Sequence, residues 1–142
     1  MPKLRPMSYA FERRALQIAV AVGGLAPVAG GFQGLMAGLQ MPGDFTDSHF
    51  RYMSGLLLGV GAAFWSTIPD IEHKGQLFRT LTLVVVVGGV ARLGAALAVG
   101  GGPLVSAALG LELVAAPLLC LWRERIERMD VKPPPGYRGP WQ

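Results

Sequence analysis

The chain has 142 residues, of which 51% are hydrophobic and only 15% are charged, and its formal net charge is +4. A water-soluble domain carries roughly a quarter charged residues. The basic residues cluster near the two ends of the chain and leave long uncharged runs between them, whereas a nucleic-acid-binding surface concentrates basic charge on one folded face. The composition therefore indicates an integral membrane protein in contact with the lipid bilayer, and it excludes a nucleic-acid partner.

Four apolar segments are long enough to be transmembrane helices, which need about 20 mainly apolar residues. They cover about residues 15–36, 51–68, 77–99 and 103–122. Pro42-Gly43, Pro69-Asp70 and the run Gly100–Gly102 before Pro103 separate them. Short connections make consecutive helices antiparallel neighbours. The sequence therefore predicts an all-α, four-helix transmembrane bundle built from two antiparallel hairpins.

The distribution of basic residues predicts the domain organisation and the orientation. Residues 1–14 form a basic amino-terminal segment, residues 15–125 the transmembrane domain, and residues 126–142 a proline-rich tail. Lys and Arg occur in both terminal segments and in the loop that contains Lys74, but are absent from residues 37–50 and from the Gly100–Gly102 turn. Because basic loops remain in the cytoplasm, both termini are expected to be cytoplasmic.

Small residues recur at four-residue or eight-residue spacing in every predicted span, which allows close packing of helices in lipid. This spacing does not distinguish packing inside one chain from contacts between chains in an oligomer. The predicted packing positions are Gly30, Gly34, Gly38, Gly55, Gly59, Ala63, Gly88, Ala108 and Ala116.

Two charged residues, Arg92 and Glu112, lie near the middle of predicted spans rather than at their ends. Arg92 is eight residues before Gly100 and Glu112 is nine residues after Pro103, which places both about 12–14 Å from the outer boundary at the helical rise. An isolated charge at that depth costs several kcal/mol, so such groups pair. Arginine can bind a carboxylate through two hydrogen bonds. We therefore predict a buried salt bridge between Arg92 and Glu112.

Polar residues crowd the start of the second span, on the same predicted side of the membrane. Asp47 or Ser48 is expected to cap the helix, which leaves His49 and Arg51 without a structural explanation. We predict an outer polar pocket that binds a small polar or anionic ligand or a lipid head group. The alternative is that the Arg–Glu contact is purely structural and that Arg51 extends to the surface. The predicted pocket residues are His49, Arg51, Tyr52, Gln33, Arg92 and Glu112.

No metal, cofactor or catalytic residue is predicted. His49 and His73 lie at opposite ends of the second span, which excludes a haem held by two histidines of one chain. The sequence has no zinc-ligand spacing, no phosphate-binding glycine loop and no nucleophile elbow. Cys120 is the only cysteine, so a disulfide within the chain is impossible.

The stretches "HFRYMSGLLLGVGAAFW", "IPDIE", "LFR", "GGVARLGA" and "LELVAAPLL" resemble a family of small bacterial four-helix membrane proteins known only as a domain of unknown function. The resemblance covers about residues 15–125. It implies a multi-pass protein of the bacterial inner membrane, with His49, Arg51, Arg92 and Glu112 as a family feature. It implies no activity.

Three functions are compatible with these features. An accessory or scaffold subunit, associating with itself or with a larger membrane complex, is favoured by the short loops, the small-residue stripes and the lack of a catalytic motif. Binding or transport of a small ligand in the outer pocket is the alternative. A membrane enzyme that acts on a lipid or quinone-like substrate through His49 has the least support.

Overall fold

The computed structural model describes residues 7–38 and 45–130. Within these ranges the chain forms helices joined by short connections at residues 68–74 and 100–102, and it has no β-strand, which confirms the predicted all-α class with four helices. The helices are α1 (Met7–Gly38), α2 (Phe45–Thr67), α3 (Gly75–Val99), α4 (Pro103–Gly110) and α5 (Ala116–Asp130), with a π-helical segment at Leu111–Ala115. Because α4, the π-helical segment and α5 follow one another without interruption, we call them together the fourth helix. Of the predicted proline-rich tail, residues 126–142, residues 126–130 belong to α5. Residues 131–142, residues 1–6 and the Pro42-Gly43 break lie outside the described residues.

Three of the described helices are long and apolar enough to cross a membrane, at Tyr9–Ala37, Gly75–Val99 and Pro103–Met129. The second predicted span does not meet this standard, although α2 has 23 residues. The reason is that Asp47, His49 and Arg51 occupy its first two turns and Ser66-Thr67 its end, which leaves a shorter apolar stretch. The sequence thus contains three strongly apolar helices and one with polar ends.

The contacts between α1 and α2 run in opposite order along the two helices. Each step toward the carboxyl end of α1 meets a residue nearer the amino end of α2. We call the end of the molecule with the α2–α3 connection the Ile71 end, and the end with the α3–α4 turn the Gly100 end. From the first to the second, the pairs in contact are Gln17 with Ile68, Ala21 with Trp65, Gly31 with Leu58 and Gly34 with Ser54.

The large buried side chains lie at the Ile71 end of the molecule. Phe64 of α2 and Phe78 of α3 meet there edge to face, with ring centroids 5.2 Å apart. At the Gly100 end, Leu97, Val99 and Leu104 are exposed. The pair α1–α2 and the pair α3–fourth helix are therefore held together mainly at the Ile71 end. The cluster of buried hydrophobic residues consists of Tyr9, Leu16, Val20, Ile71, Phe78 and Ile126.

A proline explains the π-helical segment of the fourth helix. Pro117 has no backbone N–H, so it cannot bond the carbonyl of Leu113 in the way that an α-helix requires. Immediately before it, the N–H of Ala116 donates to the oxygen of Leu111, five residues back. Such wide turns frequently occur at functional sites. Glu112 lies in this segment.

Candidate functional site

Arg92 of α3 and Glu112 of the π-helical segment form a bidentate ion pair. Arg92 Nε donates to Glu112 Oε2 and Nη2 donates to Oε1, each over 3.0 Å. The pair is not fully buried, because 42% of the Arg92 side chain and 15% of the Glu112 side chain are exposed. Both residues belong to helices that are long and apolar enough to span a membrane. A charged, hydrogen-bonded group is therefore accessible at the surface of two apolar helices.

The approach of α3 to the fourth helix depends on Gly89. A Cβ atom at this position would lie 2.8 Å from Leu113 Cδ2 and 2.9 Å from Glu112 Cβ, both closer than van der Waals contact allows. Only glycine therefore permits this spacing, and the spacing lets Arg92 reach Glu112 in a two-bond geometry. The neighbouring Gly88 has no heavy atom within 4 Å of such a Cβ, so Gly88 makes no close helix contact within the described part of the chain.

One face of α3 changes from buried to exposed toward the Gly100 end. Leu81, Val85, Gly88 and Arg92 follow one another at intervals of three or four residues, which places them on a single helix face. Leu81 is buried, Val85 is half-buried, and Gly88 and Arg92 are exposed. We call this set, together with Glu112, the Arg92 face. Its exposed part lies where the two helix pairs no longer cover each other.

The structure does not assemble the predicted outer pocket. Arg51 Nε donates to Asp47 Oδ2 over 2.9 Å, one turn away on α2, and His49 is exposed and stacks on Phe45. No contact in the described part of the chain joins either residue to the Arg92 face. The physical reason is that the α1–α2 pair and the α3–fourth helix pair make their contacts at the other end. Gln33 and Tyr52, the remaining predicted pocket residues, are exposed.

Two apolar grooves lie on the described surface, and neither contains a predicted pocket residue. One, of about 480 Å³, lies between α1 and α2 beside Trp65. The other, of about 500 Å³, lies between α1 and the fourth helix beside Trp122. Their linings are alanine, glycine, valine, leucine, isoleucine, proline and tryptophan, so they offer shape and apolar contact but no charged group.

Some of the remaining predicted packing residues contact another helix of the same chain, and others do not. A Cβ at Gly34 would meet the Ser54 side chain, and one at Gly30 would lie 3.6 Å from Leu57 Cδ2. Gly55 and Gly59 have no atom within 4 Å, so they face away from the rest of the chain. Ala63, Ala108 and Ala116 are half-buried, and the surroundings of Gly38 lie outside the described residues. Sequence reasoning missed the tight positions Gly24, Gly31, Gly61, Gly75 and Gly89.

Sequence reasoning also missed a buried arginine at the Ile71 end. Arg123 is fully buried, and it donates from Nε to the Ile71 oxygen over 2.9 Å and from Nη2 to the Glu72 oxygen over 2.8 Å. Its Nη1 lies 2.9 Å from Glu127 Oε2. A Cβ at Gly75 would contact the guanidinium group. The side chain therefore ties the connection between α2 and α3 to α5.

Glu72 adds a second link at the same end of the molecule. Arg13 Nε donates to Glu72 Oε2 over 3.0 Å, and Arg13 Nη2 donates to the Pro69 oxygen over 2.9 Å. Burial by itself raises the pKa of Glu72, but the hydrogen bond and positive charge of Arg13, together with a backbone hydrogen bond, outweigh it. The net result is a pKa below the ordinary value. The carboxylate is therefore charged and structural, and the only sequence signal for it was the acidic "IPDIE" connection between basic segments.

Fold and site together define an all-helical protein with membrane-compatible helices and an accessible ion pair on two of them. The chain belongs to the family described as "Domain of unknown function (DUF4345)", which matches residues 15–123. This match confirms the predicted resemblance to a family of unknown function. No curated protein and no solved structure matches the chain.

Proposed function

We propose that the chain is a small multi-pass protein of the bacterial inner membrane that serves as an accessory or scaffold subunit. In this role it associates with itself or with a larger membrane assembly through its helices. The observation that supports the proposal is the exposure of Arg92 on a helix apolar enough to span a bilayer. Charged groups within a bilayer are costly unless they face protein, a partner group or water. A helix of a partner placed over the Arg92 face would remove that cost.

The proposed arrangement in the membrane is two antiparallel transmembrane hairpins with both termini in the cytoplasm. The Ile71 end then lies at the cytoplasmic side, because Arg13, Lys74 and Arg123 are found there and basic segments stay inside. The Gly100 end lies at the outer side. In α2, the ion pair of Arg51 with Asp47 lowers the cost of placing these charges near the interface.

The competing functions have less support. Ligand binding in an outer pocket and catalysis through His49 both require polar side chains that converge on one cavity. The described residues contain no such convergence around His49, which stacks on Phe45 at the surface. Lateral association requires only an exposed face with a charged group that a partner helix can cover, and the Arg92 face has that property.

The proposal predicts that the protein leaves its native membrane as a complex. Extraction at natural expression level into polymer-bounded lipid discs, followed by native mass spectrometry, should give a multiple of the 15.1 kDa chain or a complex of fixed stoichiometry with another membrane protein. Lipid-bound single chains as the sole species would contradict the proposal. A matched extraction from a strain without the gene identifies proteins that enter the discs independently.

A further inference from the structure

We propose that the partner at the Arg92 face is a second copy of this chain, and that two Arg92–Glu112 pairs meet across a two-fold axis as one cluster of four charges. This inference rests on the proposed function and specifies its partner. In the cluster, Arg92 of each copy binds Glu112 of its own chain and also Glu112 of the other copy.

The hydrogen-bonding capacity of the pair supports this arrangement. A guanidinium group has five N–H donors and a carboxylate has about four acceptor sites. The contacts within the chain use one donor on Nε and one on Nη2, and one acceptor site on each oxygen of Glu112. Three donors and two acceptor sites therefore remain on a group that is partly exposed at membrane depth. A binding partner that satisfies both the remaining donors and the remaining acceptor sites must itself carry hydrogen-bond acceptors and donors.

Charge selects the second copy over a small anion. The pair has no net charge, so an anion attracted by Arg92 also meets the carboxylate of Glu112. An interface with two-fold symmetry requires a surface that is complementary to itself. A side-by-side arginine and glutamate satisfy this condition. Rotation by half a turn about an axis between two copies places Arg92 of one copy opposite Glu112 of the other.

The surroundings of Arg92 allow a close approach of another helix. Gly88 and Ala95 lie about one turn to each side of Arg92 and are exposed. Gly88 has no heavy atom within 4 Å of its Cβ position. Small residues beside a polar group are the composition that permits tight helix association in lipid. The four-charge cluster therefore fits between two copies of α3 without displacing a large side chain.

A charge-exchange experiment tests the inference in membranes with two differently tagged copies. The swapped chain R92E/E112R keeps an ion pair within itself, so its own fold is preserved. We expect wild type to associate with wild type, and swapped chain with swapped chain. Wild type and swapped chain should associate at least tenfold less, because arginine then faces arginine and glutamate faces glutamate across the axis. Random mixing of the two chains would overturn the inference.

Single charge reversals give the complementary test. R92E and E112R each break the pair within the chain, and each should lose association with itself. Coexpression of R92E with E112R should restore association, because one copy then supplies two glutamates and the other two arginines. Failure of this rescue would overturn the inference. If wild type still associates in that case, the proposed function stands with a different interface; if wild type also remains monomeric without a partner, both fail.

Discussion

Replacement of Arg123 by methionine should destabilise the protein by about 2–6 kcal/mol, because two buried carbonyl acceptors lose their donors. Arg123 is fully buried and donates to the oxygens of Ile71 and Glu72. Methionine fills similar space but leaves both carbonyls without these donors, and an unsatisfied buried acceptor costs about 1–3 kcal/mol. The connection between α2 and α3 would then lose its attachment to α5.

Arg125 provides the matched control for this substitution. It lies two residues further along the same helix, its side chain is 70% exposed, and it contacts Glu12 over 3.4 Å. An exposed ion pair contributes about 0–1 kcal/mol, so R125M should change stability little. Reversible unfolding of both variants in bicelles, followed by circular dichroism, gives the comparison. Equal stability of R123M and R125M would contradict the structural role assigned to Arg123.

Replacement of Gly31 by alanine should destabilise the contact between α1 and α2 by about 1–3 kcal/mol, as overpacking does in other tightly packed interiors. The new Cβ would lie 2.6 Å from the Leu58 nitrogen and 2.7 Å from the Ser54 oxygen. Both are backbone atoms, so no side-chain rotation relieves the clash. The helices must separate, and the neighbouring contact between Gly34 and Ser54 weakens with them.

The same substitution at Gly55 should have the opposite sign. Gly55 has no atom within 4 Å of its Cβ position, and alanine stabilises a helix interior by about 0.8–1 kcal/mol relative to glycine. Measurement of G31A and G55A by unfolding in the same bicelles tests whether helix contact, rather than helix propensity, decides the effect. Destabilisation of G55A as large as that of G31A would show that the packing faces are wrongly assigned.

The general architecture follows from local features of the sequence. Apolar runs of about 20 residues and the breaks at Pro69-Asp70 and Gly100–Gly102 predicted the positions of the helices. Three boundaries differ: α1 begins at Met7 rather than near residue 15, α2 begins at Phe45 rather than near residue 51, and the fourth helix ends at Asp130 rather than near residue 122. Depth alone suggested that Arg92 and Glu112 meet, and two hydrogen bonds join them in the structure. Periodicity and helical rise are properties of a single segment, so they can be derived from that segment's sequence without knowledge of the other helices.

The choice of packing face could not be derived in this way. Gly55 and Gly59 have the same spacing as a tight interface, yet the contact with α1 uses Ser54 and Gly61 instead. If the same small-residue stripe is moved by one or two positions along the sequence, it faces another side of the helix, but the spacing of its residues is unchanged. Which side is buried depends on the partner helix, and no local pattern contains that information.

The buried Arg123 and the uncovered Arg92 face depend on contacts between distant segments. Arg123 is near the basic carboxyl end, where a solvated side chain is the ordinary expectation, and it is buried only because the carbonyls of residues 71 and 72 fold against α5. Likewise, the predicted pocket required α2 to approach α3 at the Gly100 end. The large buried residues lie at the opposite end, and this position could not be inferred from the individual spans.

Cross-linking between copies at Ala95 measures lateral association through the Arg92 face. Ala95 on α3 and Ala62 on α2 are both exposed alanines, so A95C and A62C are matched substitutions in a background where Cys120 is replaced by alanine. Treated in native membranes with a short reagent that joins two thiols, A95C should give a covalent dimer and A62C should remain a single chain. A dimer formed through position 62, with none through position 95, would show that the copies do not associate through the Arg92 face.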